Sequence, residues 1–175
     1  MTVSFIDSSL FMGMSHRDEA IRIAAKNVMV SRYHKGVTMS LAHVGMCDDI
    51  VWHFPREIQD EYYPFMDQLH TEMNIRRICY READVLRYGA MNTSDLEPFR
   101  GLLLARVLNE GGCLYTPDPE LALLGRDAGG GIYTLEEFGG AELSFPAPHE
   151  EAYRRSLVLR VSHPPGHAHR EAGLT

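Results

Sequence analysis

The chain has 175 residues, of which 45% are hydrophobic and 23% are charged, the composition of a packed soluble protein rather than a disordered one. This length suits one domain that buries about two-thirds of its unfolded surface. With 17 lysines and arginines against 24 aspartates and glutamates the net charge is −7, which argues against a broad basic surface for nucleic acid but leaves a local basic strip open.

The first half of the chain alternates strand and helix patterns. Short apolar runs predict strands, and apolar residues at three- and four-residue spacing predict helices with one buried face. Ser15 with Asp18 is a capping-box pattern for the first helix, and Pro64 should kink or split the third. The predicted strands are residues 3–7, 37–40 and 75–80, and the predicted helices are residues 15–33, 41–54, 57–73 and 82–88.

The second half continues the alternation. Ser94 with Glu97 is a second capping pattern, which starts a helix near Asp95, and Gly111-Gly112 ends that helix. Its predicted buried face is Leu96, Phe99, Leu103 and Val107. The remaining predictions are strands at 113–116 and 156–161, a short helix at 119–124, a flexible loop at 129–131 and a capped turn at 134–137.

Strands that alternate with helices indicate a mostly parallel sheet covered on both faces, a three-layer α/β/α fold. We expect one domain over residues 1–162. Residues 163–175 are rich in proline, glycine and histidine, which predicts a flexible tail.

Cysteine usage indicates a reducing compartment. Cys47, Cys79 and Cys113 are odd in number and form no CxxC pair. The amino terminus has no basic segment followed by an apolar core, and no apolar run approaches the length of a membrane span. The sequence therefore predicts a cytoplasmic protein with no membrane partner.

Four aspartates stand where a ligand site is expected. Asp7 and Asp118 each end a predicted strand, and ligands of open α/β sheets bind outside the carboxyl ends of the strands. Asp95 starts a helix, and its position relative to that edge depends on the connection that precedes it. In the helix after the second strand, Asp48 falls on the flank of the apolar face while Asp49 points to solvent.

Clustered carboxylates raise one another's pKa unless a cation is bound. Oxygen ligands suit Mg²⁺ or Mn²⁺, which activate water and stabilise phosphoryl transition states. Asp7, Asp48, Asp95 and Asp118 are therefore the predicted metal ligands, and Asp7 and Asp118 the predicted catalytic residues.

The chain resembles PIN-domain proteins. The resemblance rests on the strand and turn of residues 3–9, the strand-to-helix step after residues 37–40, and the helix–Gly–strand–Thr-x-Asp run that ends at Asp118. It covers roughly residues 3–125. It implies a compact α/β/α fold and a metal-dependent ribonuclease that acts on RNA with three or four acidic ligands.

Two positions depart from the PIN pattern. Arg100 stands where the resemblance expects an acid before the Thr-x-Asp strand, and His43 stands near the expected glutamate after the second strand. A cationic Arg100 inside a carboxylate site competes with a metal ion. A second hypothesis is therefore a catalytically inactive PIN-like domain that binds a protein or a small molecule; a homodimer stays open.

Each aspartate also has a structural interpretation. Asp7 and Asp118 suit helix N-caps, Asp95 suits the first turn of a helix, and Asp48 suits a solvated flank. Two further features compete as sites: the spacing of three tail histidines suits a transition metal, and Trp52 is placed to stack a base near Asp48. The three histidines are His163, His167 and His169.

Overall fold

A computed structural model describes residues 2–91 and 96–162 of the chain. Five short strands form one sheet, in the order β3-β2-β1-β4-β5, and every neighbouring pair is parallel. The strands are β1 (Ser4–Ile6), β2 (Thr38–Ser40), β3 (Arg76–Ile78), β4 (Cys113–Tyr115) and β5 (Gly131–Tyr133). The predicted α/β fold with a parallel sheet is confirmed.

Helices cover both faces of the sheet. Ile6 and Tyr115 point to a face packed by α1 to α4 and α8, while Phe5 and Leu114 point to a face packed by α6 and α7. Successive side chains of a strand point to opposite faces, so each three-residue strand contributes to both layers. The helices are α1 (Ser8–Gly13), α2 (Glu19–Arg32), α3 (Leu41–Trp52), α4 (Arg56–Glu72), α5 (Glu82–Ala90), α6 (Pro98–Glu110), α7 (Pro119–Asp127) and α8 (Ala147–Ser156).

The start of α2 differs from the capping-box prediction. Asp18, not Ser15, is the N-cap, and its side chain accepts hydrogen bonds from the backbone N–H groups of Ala20 and Ile21. The cap is therefore local but lies three residues later than predicted. The Ser15 carbonyl instead accepts a hydrogen bond from the Val161 N–H at 2.9 Å, which ties the start of α2 to a distant part of the chain.

Two predictions for the carboxyl-terminal third are wrong. The predicted strand at 156–161 is instead the end of α8 followed by a turn, and only Val161 forms an isolated bridge, with His16. The predicted flexible loop at 129–131 leads directly into β5, whose Gly131 pairs with Cys113. Both segments are short and lack the periodicity that marks an element in sequence.

The helix that leads to β4 begins later than predicted. It starts at Pro98, and Glu97 caps it by accepting hydrogen bonds from the Phe99 and Arg100 N–H groups. Phe99 therefore lies in the first turn, half exposed, rather than on the buried face. Gly111 ends the helix in the left-handed region, at φ 60°, as its sequence predicts. Ser94, the other half of the predicted capping box, lies outside the described residues.

Pro64 lies inside α4 without splitting it. Neighbouring contacts compensate for the missing backbone hydrogen bond, because Phe65, Met66 and Leu69 of the same helix are buried in the core. Among the residues that the structure describes, no helix has the length and apolar character needed to cross a membrane.

A buried lysine joins the middle of α2 to the end of the chain. The Lys26 side chain is fully buried, and its Nζ lies 2.7 Å from Glu142 and 2.9 Å from Glu150. The ammonium also lies 4.6 Å from the centroid of the Tyr153 ring. A buried charge of this kind is tolerated only because it is paired.

We expect Lys26→Met to lower the free energy of unfolding by about 3 kcal/mol, since it keeps the aliphatic stem but removes two buried hydrogen bonds between charged groups. Among the described residues, Glu142 then keeps only Arg22, and Glu150 only Arg154, as a cationic partner. Urea denaturation at neutral pH measures the change.

The control is Arg155→Met, which removes an exposed pair with Glu151 and should cost less than about 1 kcal/mol. Equal losses in the two variants would contradict a structural role for Lys26.

Candidate functional site at the carboxyl edge of the sheet

Asp7 and Asp118 lie together at the carboxyl edge of the sheet. Ile6, the last residue of β1, pairs with Tyr115, the last residue of β4. Asp7 and Thr116, the first residues after these two strands, therefore lie side by side. Asp118 follows Thr116 by two residues. This is the edge where open parallel sheets usually bind their ligands.

Both carboxylate oxygens of Asp7 are already hydrogen bonded. Oδ1 accepts from the Leu10 N–H at 2.7 Å, which caps α1, and Oδ2 accepts from the Thr116 hydroxyl at 2.5 Å. The side chain is buried, and this burial raises the pKa of Asp7 to about 6. The two hydrogen bonds and Arg100 act to lower that pKa, while the Asp118 charge acts to raise it.

Asp118 is the N-cap of α7, and Pro119 takes the first helical position as predicted. Its Oδ1 accepts hydrogen bonds from the Glu120 and Leu121 N–H groups at 3.0 and 3.1 Å. Its Oδ2 forms an ion pair with the Arg100 guanidinium. Both oxygens of this aspartate, like those of Asp7, are therefore committed to groups of the protein.

Arg100 reaches this edge from the first turn of α6. Its side chain is only 14% exposed, and Nη2 contacts Asp118 and also Glu120, the latter at 3.0 Å. Its Nε is buried and has no hydrogen-bond partner among the described residues. The cation therefore lies within the acidic edge itself, between two carboxylates.

His43 fills the space between α3, α1 and α6. Its Nδ1 accepts a hydrogen bond from the Ser8 N–H at 3.1 Å, and Nε2 lies 3.4 Å from the Phe99 carbonyl oxygen. These partners assign the neutral tautomer with the proton on Nε2. Burial and the nearby Arg100 lower the pKa of His43 to about 4, so the ring is uncharged at neutral pH.

Asp48 lies on the side of α3 that faces α4. It is partly buried and Asp49 is exposed, in agreement with the helical spacing. Partial burial and the charge of Asp67 raise the pKa of Asp48, and Asp48 in turn raises that of Tyr63. Its role as a metal ligand stays a prediction.

Several predicted site residues fall elsewhere. Asp95 and the three tail histidines lie outside the described residues. Trp52 ends α3 with 70% of its side chain exposed, so its ring is open to solvent. Its predicted stacking on a base stays a prediction.

The donor set at this edge does not fit Mg²⁺ or Mn²⁺. Such ions are bound through one or two carboxylates with lone pairs free for the metal, and they retain several water molecules. Within residues 2–91 and 96–162, no three His, Cys, Asp or Glu side chains are grouped so that they could hold a metal ion. Asp7 and Asp118 use their oxygens for helix caps, a hydroxyl and a guanidinium, and His43 presents an N–H rather than a lone pair.

Thr116 is the site residue whose role sequence reasoning did not assign. Its hydroxyl donates to Asp7 and its Oγ1 accepts the Asp118 N–H at 3.0 Å, so it links the two aspartates. The Thr-x-Asp spacing could have indicated this role, because a threonine hydroxyl commonly accepts a hydrogen bond from the backbone N–H two residues later.

The chain belongs to DUF6190, a family of unknown function whose sequence profile matches residues 1–165. A search of curated proteins finds none that matches the chain. The family description contains no activity, so the resemblance to PIN domains stays a prediction.

The raised pKa of Asp7 predicts a specific dependence of stability on pH. The unfolded carboxyl releases its proton near 3.8 and the folded one near 6. The stability associated with the protonated carboxyl is therefore full below about pH 4 and is lost as the pH rises through about 6. Asp7→Asn removes this titration, so relative to that variant the wild type should lose about 2 kcal/mol between about pH 4 and 7.

Urea denaturation across this pH range measures the difference. The control is Asp49→Asn, an exposed aspartate whose carboxylate stays hydrated on folding. A difference between wild type and Asp7→Asn that does not change with pH would contradict the buried carboxyl.

Proposed function

We propose that this member of the DUF6190 family is a PIN-like domain that binds another molecule without metal-dependent catalysis. The observation that carries the proposal is the ion pair between Arg100 and Asp118. Here the chain provides its own cation at the position where the resemblance implies a bound metal.

Displacing that cation is costly. Arg100 and Asp118 side chains are only 14% and 13% exposed, and separating a largely buried pair leaves uncompensated charge. A metal ion at Asp118 would also lie beside a guanidinium that cannot lose its proton. The charge of Arg100 therefore disfavours the binding of Mg²⁺ or Mn²⁺ at Asp118, and this effect requires no difference in fold from a metal-binding PIN domain.

The remaining groups of the edge support a structural role. Asp7 ties β1 to Thr116 after β4, and His43 ties α3 to Ser8 and to the carbonyl of Phe99. Polar groups that satisfy one another leave few donors or acceptors for a substrate. We infer that this network holds the ends of β1 and β4 and the starts of α6 and α7 in register.

The net charge of −7 argues against RNA as the partner, because RNA binding depends on neutralising phosphates. The charge of the protein and the paired groups of this edge thus favour a protein or a small molecule as the partner. A binding site is expected where charged groups are left unpaired, away from the carboxyl edge.

A metal-dependent ribonuclease is the second candidate. It is favoured by the proximity of Asp7 and Asp118: burial is the main cause of the raised pKa of Asp7, and the charge of Asp118 adds to it. This candidate requires Arg100 to leave Asp118 when Mg²⁺ or Mn²⁺ binds, and it retains RNA as the substrate.

Replacing the arginine tests the proposal. We expect Arg100→Asp to gain Mn²⁺ binding, because it removes the competing cation and adds a carboxylate beside Asp118. At a Mn²⁺ concentration about 100 times the Kd, the variant should gain about 2.7 kcal/mol of stability, while the wild type gains none. Thermal unfolding with and without Mn²⁺, together with calorimetric titration, measures both effects.

Arg87→Asp, on α5, is the matched control for the change in charge and should respond to Mn²⁺ as the wild type does. The opposite result would be a wild type that binds Mn²⁺ and cleaves RNA, with both properties lost in Asp7→Asn and in excess chelator. That result would replace the proposal by the ribonuclease.

A further inference from the structure

A cavity of about 650 Å³ lies at the opposite, amino-terminal side of the sheet. Its wall includes Ser4, Thr38 and Cys113, the first residues of β1, β2 and β4. The end of α2 and the turn after it form another side, through Arg32 and Lys35. A cavity of this size is typical of small-molecule sites.

The cavity is basic although the protein is acidic. Arg32, Lys35 and Arg76 line it, and no Asp or Glu is among the described residues that form its wall. In a chain with a net charge of −7, three cations around one concave surface concentrate positive potential there. Low-dielectric walls strengthen such a local field.

These cations retain capacity for a ligand. Over the described part of the chain, neither Arg32 nor Lys35 forms an ion pair, and the Nε of Arg32 is buried without a hydrogen-bond partner. Arg76 is 55% exposed, and its Nη2 lies 3.5 Å from Glu110, a distance longer than a good hydrogen bond. Their charge is therefore less neutralised than that of Arg100.

Aromatic rings form the far wall of the cavity. Tyr115 and Tyr133 stack with centroids 5.0 Å apart and planes inclined by 16°. The Arg32 guanidinium lies 4.7 Å from the centre of the Tyr115 ring and donates to its hydroxyl. Tyr133 is 38% exposed, so part of its ring is available for a planar ligand.

We propose that this cavity binds a small phosphate-bearing ligand with a planar ring, of the nucleoside monophosphate class. Arginine and lysine donors bind phosphate oxygens through charge-assisted hydrogen bonds, and the Tyr133 ring accepts a base by stacking. A long polyanion is disfavoured by the net charge of −7 of the chain. The inference rests on the proposed binding role and names its ligand class.

Calorimetric titration of the full chain tests this assignment with four probes: adenosine 5′-monophosphate, inorganic phosphate, adenosine and a single-stranded RNA oligonucleotide. We expect the monophosphate to bind, inorganic phosphate to bind more weakly, and adenosine to show no measurable binding. Affinity for the monophosphate should fall as salt is added, because charge attraction is screened.

Single substitutions assign the roles. Lys35→Gln and Arg76→Gln should each lower the affinity for the monophosphate about tenfold, the effect of losing a hydrogen bond to a charged group. Tyr133→Leu should weaken the monophosphate but leave inorganic phosphate unchanged. Arg56→Gln is the matched control, because its exposed pair with Asp60 lies outside the lining residues. Circular dichroism and thermal unfolding verify that each variant is folded.

Three results would overturn the inference: no binding of the monophosphate by the wild type, equal affinity in Lys35→Gln and Arg76→Gln, or tighter binding of the RNA oligonucleotide than of the monophosphate. The Mn²⁺ response of Arg100→Asp is measured at the opposite side of the sheet. The titration with the monophosphate tests the ligand of the cavity, and the Mn²⁺ response tests the non-catalytic function. Either proposal can therefore be contradicted without the other.

Discussion

The contact between Arg100 and Asp118 determines how the carboxyl edge of the sheet is organised. Asp118 caps α7 with one oxygen and neutralises Arg100 with the other, while its backbone N–H donates to Thr116. Thr116 in turn donates to the buried Asp7. Two carboxylates at one edge would repel each other in the absence of a cation. Here the Arg100 side chain provides a cation beside Asp118.

The two ends of the strands differ in how far their charged side chains are neutralised. At the carboxyl ends, Asp118 is paired with Arg100 and both oxygens of Asp7 accept hydrogen bonds. At the amino ends, Arg32, Lys35 and Arg76 line a cavity. Parallel sheets usually place their ligands at the carboxyl ends. In this protein the unpaired charge lies at the other end, and we infer that the binding function has the same location.

Local signals allowed much of the fold and half of the site to be predicted. Asp118 before Pro119 and the glycine at 111 are short-range patterns, and their helix cap and helix end are in the structure. The start of α2 was predicted at Ser15, whereas Asp18 is the N-cap and Ser15 pairs with the distant Val161. The pairing of Arg100 with Asp118 spans 18 residues and depends on how α6 packs against α7. The resemblance placed Arg100 in the acidic site, but tertiary packing decides which carboxylate it pairs with.

The buried Lys26 has a consequence for how the chain is made. Its carboxylate partners, Glu142 and Glu150, lie 116 and 124 residues later. At about 5–20 residues per second of translation, they emerge on the order of ten seconds after Lys26. During that interval the ammonium must stay hydrated, so the face of the sheet that α2 covers cannot close. During synthesis, the core between the sheet and helices α6 and α7 can therefore pack first. The core on the other face packs only after α8 has been made.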